Sequence, residues 1–194
     1  MTKLVQGVGV YEPGPFRASI EHKSTKEYNL WVAMLSRCNP NGAVQLVRPT
    51  YDGCTIHPDF IHFQDFAAWC QNQVGFDVQG FSLDKDLLVP GNKVYGPDTC
   101  CFVPVAVNNL LIYKQTTYSK YPPGVSYKRD SEKFQAALKV DGKSKYLGVF
   151  DTPQQASIAY QVAKLKEVRR KAEQFKDVVD VKVYTALLEL ELNT

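Results

Sequence analysis

The stretch KFQAALKVDGKSKYLGVFDTP, residues 133–153, decides the fold of the C-terminal part of the chain. Near its middle stands Asp141-Gly142, a pair that is typical of a two-residue hairpin turn. The segments on either side of this pair predict strands over Lys133–Val140 and Lys145–Phe150. A further strand is expected over Gly124–Lys128, so we predict a three-stranded antiparallel sheet.

A helix is predicted directly after this sheet. Thr152 is suited to cap its N-terminus, and Pro153 stands in the first turn, where proline is favoured. One face of the helix carries small residues and a tyrosine: Ala156, Ala159, Tyr160 and Ala163. Small residues allow a helix to lie close to a sheet, so we expect the helix to pack on one sheet face. The charged run Lys164–Lys171 that follows is typical of a solvated helix face.

Strand alternation predicts which side chains of Lys133–Val140 face this helix. An apolar set is expected on the helix side: Phe134, Ala136 and Leu138. The set on the opposite side is mostly polar: Gln135, Ala137 and Lys139. The surroundings are basic, with eight Lys or Arg and three acids between Lys114 and Lys145. A bare basic sheet face fits a DNA groove, and an ordinary solvated face is the alternative that composition leaves open.

The bulk composition argues against a disordered protein and against a membrane-spanning protein. Of the 194 residues, 44% are hydrophobic, which is enough for a packed core and argues against wholesale disorder. No run reaches the ~18 apolar residues of a membrane span, so no membrane partner is expected. The net charge of +3 does not by itself predict nucleic-acid binding; the clustering of lysines in the C-terminal third does.

Two aromatic-rich helices are predicted in the N-terminal part. Ser24 precedes Glu27 by three residues, which is the spacing of a capping box, and the helix should end near Cys38. A second helix should begin at Pro58, a favoured first helical position. Its main face consists of Phe60, Phe63, Ala67 and Cys70. We interpret the aromatic residues as core and Leu4–Ile20 as strands broken by turns.

The middle of the chain is predicted to form two short strands and a helix, over Ser82–Leu88, Cys101–Val103 and Val105–Ile112. The whole chain is therefore expected to be α+β. Its predicted parts are a helical and ββα domain over residues 1–112, a linker over 113–123, a sheet-and-helix domain over 124–176 and a C-terminal helical tail over 177–194.

Four strings in the C-terminal part resemble the Apetala-type (ethylene-response-factor) DNA-binding domain. They are GVSY at 124–127, FQAALK at 134–139, YLGVFDT at 146–152 and ASIAY at 156–160. That family lays its three-stranded sheet in the major groove of duplex DNA. The resemblance implies that the DNA-binding residues are Ser126, Lys128, Lys139 and Tyr146, with Gln135 on the face of Lys139.

Two positions depart from that family. It has an arginine where Ser126 stands and an acid where Ala137 stands. We therefore expect direct reading of the bases to be weaker or different here, while the attraction between lysines and phosphates remains.

The middle segment resembles the ββα-metal finger of HNH nucleases, especially the phage homing-endonuclease branch. The resemblance rests on the order of four strings: Leu83-Asp84-Lys85-Asp86, Gly91-Asn92-Lys93, Cys100–Pro104 and Asn108. In that branch an Asp-His pair closes the first strand, and a helix Asn completes the metal site. Phage HNH proteins are often fused to an Apetala-type domain, so the two resemblances support each other.

This second resemblance implies that Asp84 and Asn108 bind one Mg²⁺ or Mn²⁺, because hard cations prefer oxygen ligands. The catalytic His position is occupied by Lys85. An exposed lysine is charged and cannot accept a proton, so Lys85 would need strong burial or another positive neighbour to act as a base. Otherwise Lys85 would bind phosphate as a fixed charge, and Asp86 is a spare carboxylate for metal or water. A solvated hairpin edge is the plainer interpretation of these residues.

The two resemblances together imply a site-specific HNH-like homing endonuclease that cuts or nicks duplex DNA. The alternative is a catalytically inactive relative that binds DNA as a regulator or inhibits another protein. His57 or His62 is a substitute for the missing base if the fold brings either one near Asp84. Buried free thiols are the default for the five cysteines, and a structural zinc held by three of them and His57 is a further alternative.

Duplex DNA is thus the expected partner. The tail from Val178 to Leu190 has apolar residues at helical spacing, which either cap the C-terminal domain or form the seam of a homodimer. The N-terminus lacks the pattern of a signal peptide, and the cysteines lack a disulfide framework. We therefore expect a cytoplasmic protein, in the host cytoplasm if a phage encodes it.

Overall fold

The computed structural model describes residues 4–111 and 120–191. The chain divides into two compact units, Met1–Val103 and Pro104–Thr194. Helices and strands occur together, which confirms the predicted α+β class. Most of the predicted linker, 113–123, lies outside the described residues.

The first long helix, α1 (Lys26–Cys38), ends where the sequence predicts, but its cap is one residue later than expected. The hydroxyl of Thr25 accepts a hydrogen bond from the backbone N–H of Tyr28 at 3.4 Å. Ser24 instead belongs to an antiparallel ribbon of β1 (Ser19–Ile20) and β2 (Lys23–Ser24). The predicted cap at Ser24 is therefore wrong, because the ribbon uses that residue.

The second aromatic helix, α3 (Phe63–Gln71), begins later than the sequence predicts. The expected start at Pro58 is wrong, because residues Pro58–Phe60 form a separate 3-10 turn, in which the Nδ1 atom of His57 accepts the backbone N–H of Asp59 at 3.3 Å. The predicted apolar face is correct, since all four of its members are buried: Phe60, Phe63, Ala67 and Cys70. Between the two long helices lie α2 (Ala43–Val47), a 3-10 turn over Pro49–Tyr51 and β3 (Thr55–Ile56).

The aromatic side chains form the core of this first unit, as predicted. Buried Trp31 donates its indole N–H to the carbonyl of Phe60 at 2.9 Å, which joins α1 to the turn before α3. The expectation of strands over Leu4–Ile20 is largely wrong, because only isolated bridges and the two residues of β1 are extended and paired there. Gly9 lies directly on the side chains of Trp31 and Leu35, so this segment covers the helices instead of pairing in a sheet.

The middle of the chain forms β4 (Phe81–Asp84), β5 (Val94–Tyr95), β6 (Cys101–Pro104) and α4 (Val105–Leu111). Strand β4 pairs with β6, and β5 pairs in parallel with β3. The first strand is shorter than the predicted Ser82–Leu88, since the chain turns at Asp84. Strand β5 was not predicted, and Ile112, the last residue of the predicted helix, lies outside the described residues.

The second unit contains the predicted three-stranded antiparallel sheet, in the order β7 (Val125–Lys128), β8 (Lys133–Val140) and β9 (Lys143–Phe150). Helix α5 (Pro153–Phe175) follows it, capped by Thr152 in a reciprocal capping box with Gln155. Residues Ala136 and Ala156 are fully buried between sheet and helix. The predicted sheet packed on one helix is therefore confirmed.

The tail forms α6 (Val181–Glu189), which packs on α5. Val183 and Leu187 of α6 are fully buried, as are Val168 and Ala172 of α5. Of the two expectations for the tail, its apolar face thus caps the C-terminal unit, and the homodimer stays a prediction. None of the helices within residues 4–111 and 120–191 has the length and apolarity to cross a membrane.

Candidate nucleic-acid interface

The three-stranded sheet has one face on α5 and one face turned away from it. The buried residues Ala136 and Leu138 of β8 lie on the helix side, so the residues that alternate with them lie on the other side. Cross-strand partners share a face, which extends the assignment to β7 and β9. We call this surface the open face; it consists of Ser126, Lys128, Lys133, Gln135, Ala137, Lys139, Ser144, Tyr146 and Val149.

A β-bulge decides the position of Tyr146. Ala136 lies opposite Gly148 and Ala137 opposite Tyr146, so Leu147 is an extra residue in β9. Without this extra residue the alternation would turn Tyr146 toward the helix; with it, Leu147 packs on the core and Tyr146 is 60% exposed. Gly148 supports the bulge with φ +133°, a conformation that favours glycine.

The structure places all five predicted DNA-binding residues on the open face. Ser126 lies opposite Gln135, Lys128 opposite Lys133, and Lys139 opposite Ser144. Of the five, four are exposed and Gln135 is half-buried. The contact of these residues with DNA stays a prediction, but their placement on one surface follows from the strand register.

The charges of the open face lie at its two ends. Lys128 and Lys133 form one end, where Lys133 also pairs with Asp151 at 2.9 Å, and Lys139 forms the other. The rows between them are neutral: Ser126, Gln135 and Val149 in one row, and Ala137 and Tyr146 in the next. The face therefore combines basic ends with a neutral centre.

Helix α5 fixes the tip of the β8–β9 hairpin. Asp141 and Gly142 have φ values of +48° and +80°, as the predicted two-residue turn requires. The ammonium of Lys171, a residue only 5% exposed, donates to both carboxylate oxygens of Asp141 at 2.8 and 3.0 Å. This hydrogen bond holds the pKa of the Asp141 carboxyl below its usual value. The prediction of a solvated run over Lys164–Lys171 is wrong for its last residue.

The predicted nuclease residues of the first unit have structural partners. The Asp84 Oδ1 atom accepts the backbone N–H groups of Asp86 and Leu87 at 2.9 and 2.8 Å, which closes a turn at the end of β4. Burial raises the pKa of the Asp84 carboxyl, and these two hydrogen bonds oppose the rise. Asp84 thus ends its strand by capping the turn that follows.

Lys85 is buried, so the interpretation of this residue as a solvated hairpin edge is wrong. Only 5% of Lys85 is exposed. Its ammonium pairs with the carboxylate of Asp86, donates to the carbonyl of Asn92 at 2.8 Å and lies 5.8 Å from the ring centre of Tyr95. In return, the amide of Asn92 donates to the carbonyl of Lys85 at 2.8 Å, so these contacts close the loop between β4 and β5.

The predicted metal ligands lie in different units of the chain. Asp84 belongs to the first unit, and Asn108 lies in α4 of the second. The surroundings of Asp84 do not favour a divalent cation, because one carboxylate oxygen already accepts two N–H groups and an ammonium stands at the next residue. Within residues 4–111 and 120–191, no three His, Cys, Asp or Glu side chains are grouped to hold a metal ion. The Mg²⁺ or Mn²⁺ site stays a prediction.

His57 and His62 of the first unit form local polar contacts, and its cysteines are buried. His57 caps the 3-10 turn, and the Nδ1 atom of His62 lies 3.4 Å from a carboxylate oxygen of Glu12. All five cysteines are buried free thiols, which confirms the default expectation for them. Burial raises the pKa of both Cys38 and Cys100 to about 12, so these two thiols stay protonated at neutral pH.

Comparison of the chain with known families, with curated proteins and with solved structures finds no match. The function is therefore inferred from the residues and geometry of this chain alone.

Proposed function

We propose that this chain binds duplex DNA by laying the open face of its three-stranded sheet in the major groove. The observation that carries the proposal is the placement of all five expected residues on a sheet face that α5 does not cover. The opposite face supplies the core, so the open face is available for a partner. Its lysines favour a partner with negative charge.

The dimensions of the open face suit a DNA groove. Lys133 and Lys139 are six residues apart on β8, which corresponds to about 20 Å of extended chain. The major groove is about 12 Å wide. A sheet seated in it would bring lysines to the phosphates on both sides, while the neutral centre would meet the edges of the bases.

The rigidity of the hairpin also supports the proposal. The ion pair of Asp141 with Lys171 ties the hairpin tip to α5, and the bulge at Gly148 sets the direction of Tyr146. A face that keeps its shape before binding loses less conformational entropy when it binds. The sheet is therefore a better candidate for the interface than the surface loops of the chain.

The experiment that tests this proposal is a binding titration of the full-length chain with duplex DNA at low salt. We expect the double variant Lys128→Ala/Lys139→Ala to bind about 1–3 kcal/mol more weakly, because two phosphate contacts are lost. The matched control is Lys23→Ala/Lys182→Ala, which removes two exposed lysines outside the open face. Equal losses in the two double variants would show that the open face is not the interface.

DNA cleavage is the second candidate function, and the surroundings of Lys85 favour its inactive alternative. A general base must be able to take up a proton. The Lys85 ammonium instead acts as a donor to Asn92 and pairs with Asp86 inside the fold. We therefore rank a DNA-binding protein that does not cut, and that acts as a regulator or inhibits another protein, ahead of an HNH-like endonuclease.

A further inference from the structure

The side chains at the neutral centre of the open face indicate which base pairs this face would contact in DNA. This inference rests on the proposed DNA binding and deepens it. We propose that the centre prefers A·T base pairs, with Gln135 as the residue that contacts adenine. The observation behind it is the register, which puts Gln135 between Ser126 and Val149 in one cross-strand row.

The chemistry of the bases leads from Gln135 to adenine. In the major groove guanine presents two acceptors, which suit the paired donors of an arginine or a lysine. Adenine presents one acceptor and one donor, and the side-chain amide of glutamine carries one group to match each of them. Because the lysines stand at the ends of the open face, the centre offers an amide where a guanine reader would need a cation.

The neighbour of Gln135 on β9 suits the other base of the same pair. Val149 lies directly opposite Gln135, and side chains at such positions have Cβ atoms about 5 Å apart. An A·T pair presents the adenine edge beside the methyl group of thymine, which packs against apolar side chains. Ala137 adds a second small apolar group two residues along β8. The two central rows contain no carboxylate to accept the amino group of cytosine.

The same geometry favours DNA over double-stranded RNA. The major groove of A-form RNA is deep and narrow, and side chains cannot read its bases. A three-stranded sheet about 20 Å long on β8 needs the wide groove of B-DNA. The substrate class that we infer is therefore duplex DNA with an A·T-rich core in its site.

The experiment uses the full-length chain and three duplexes of equal length, one with mixed A·T sequence, one with G·C pairs only and one of RNA. We expect the A·T duplex to bind about tenfold more tightly than the G·C duplex, which is within the range of one good base contact. In the variant Gln135→Arg the preference should shift toward G·C, since a guanidinium matches guanine. In Gln135→Ala the preference should be lost while weak binding to all DNA remains. The control Gln154→Arg adds the same charge at an exposed position on α5 and should leave the preference unchanged.

The outcomes separate this inference from the function on which it rests. If no duplex binds at low salt, the proposed DNA binding itself fails. If DNA binds but the wild-type chain treats A·T and G·C alike, or prefers G·C, the DNA-binding proposal stands and the A·T inference is overturned. A preference for A·T that survives in both Gln135 variants would overturn the role of Gln135. RNA binding as tight as DNA binding would overturn the groove assignment.

Discussion

Lys85 shows how a buried position changes the chemistry of a single residue. Its side chain replaces the histidine that the HNH resemblance requires, and sequence alone left open whether it acts on phosphate. In the fold the ammonium is enclosed and bonded to Asn92 and Asp86. A group with these contacts stabilises the loop between β4 and β5, and it would have to leave them before it reached a substrate.

The variant Lys85→His tests this role. We expect neither the wild-type chain nor the variant to cut DNA with Mg²⁺ or Mn²⁺, and we expect the variant to be less stable because it loses the contacts of the ammonium. Nicking and linearisation of plasmid DNA, with EDTA as the blank, would measure cleavage, and thermal unfolding would measure stability. The matched control is Lys93→His, an exposed lysine of the same segment. Cleavage by the wild-type chain that disappears in Asp84→Ala would contradict this account and restore the nuclease.

Most of the side chains on the open face could be assigned to it from the sequence. The structural reason that Tyr146 lies on this face could not. Period-two alternation places Gln135 and Lys139 together, and the structure agrees. Alternation alone would turn Tyr146 to the other face, and only the bulge at Gly148 returns it. A glycine inside a strand is the signal that could have indicated this bulge.

At the scale of elements, the boundaries follow from local signals, of which the sequence analysis recognised some and missed others. The hairpin and the capped start of α5 follow from Asp141-Gly142 and Thr152-Pro153, and both were predicted. The start of α3 and the early end of β4 were not, because they depend on the capping contacts of His57 and Asp84. Both contacts join residues two or three apart in the chain, so these boundaries were missed because local turn chemistry was not recognised in the sequence.

The contact between α5 and the hairpin tip makes stability depend on pH. The pKa of the Asp141 carboxyl is lowered, first by the hydrogen bond from Lys171. The stabilisation is therefore present above the ordinary aspartate pKa of about 3.9 and is lost as pH falls through the lowered value. We expect Asp141→Asn to be less stable than wild type at pH 7, with the difference disappearing in strong acid.

Denaturant unfolding of both proteins across this pH range measures the effect. Asparagine keeps the turn preference of the Asp-Gly pair, so the substitution removes the charge and leaves the turn type unchanged. Asp177→Asn, at an exposed position of the same unit, is the control. A stability difference that is the same at pH 7 and in strong acid would mean that the ion pair with Lys171 is not its cause.

Two valines of α6 form a matched pair with which the role of the tail can be tested. Val183 is fully buried against α5, whereas Val181 is 78% exposed. We expect Val183→Ala to lower the free energy of unfolding by about 2 kcal/mol, since it removes buried methyl groups and leaves a cavity. We expect Val181→Ala to change it by less than about 0.5 kcal/mol.

Light scattering of the two variants and the wild type completes this test. If the tail only caps the C-terminal unit, the protein should be a monomer, and its stability should not depend on protein concentration. A dimer that dissociates when Val181 is replaced would contradict capping as the main role of the tail and support the homodimer seam.

At the scale of the whole molecule, charge is distributed in a way that the net value of +3 does not show. The three strands of the sheet carry five lysines, and the three of them that belong to the open face stand at its two ends. The sequence predicted this clustering of lysines by counting residues, whereas the separation into basic ends and a neutral centre required the strand register. If the open face binds DNA as we propose, the affinity should depend on salt concentration.

The most direct test of DNA binding by the open face is the slope of the logarithm of the binding constant against the logarithm of salt concentration. If Lys128, Lys133 and Lys139 each neutralise a phosphate, the wild-type slope should be about −3 or steeper. The slope of Lys128→Ala/Lys139→Ala should be shallower by about 2, and that of Lys23→Ala/Lys182→Ala should equal the wild-type slope. Binding whose slope is the same in all three proteins would contradict the account.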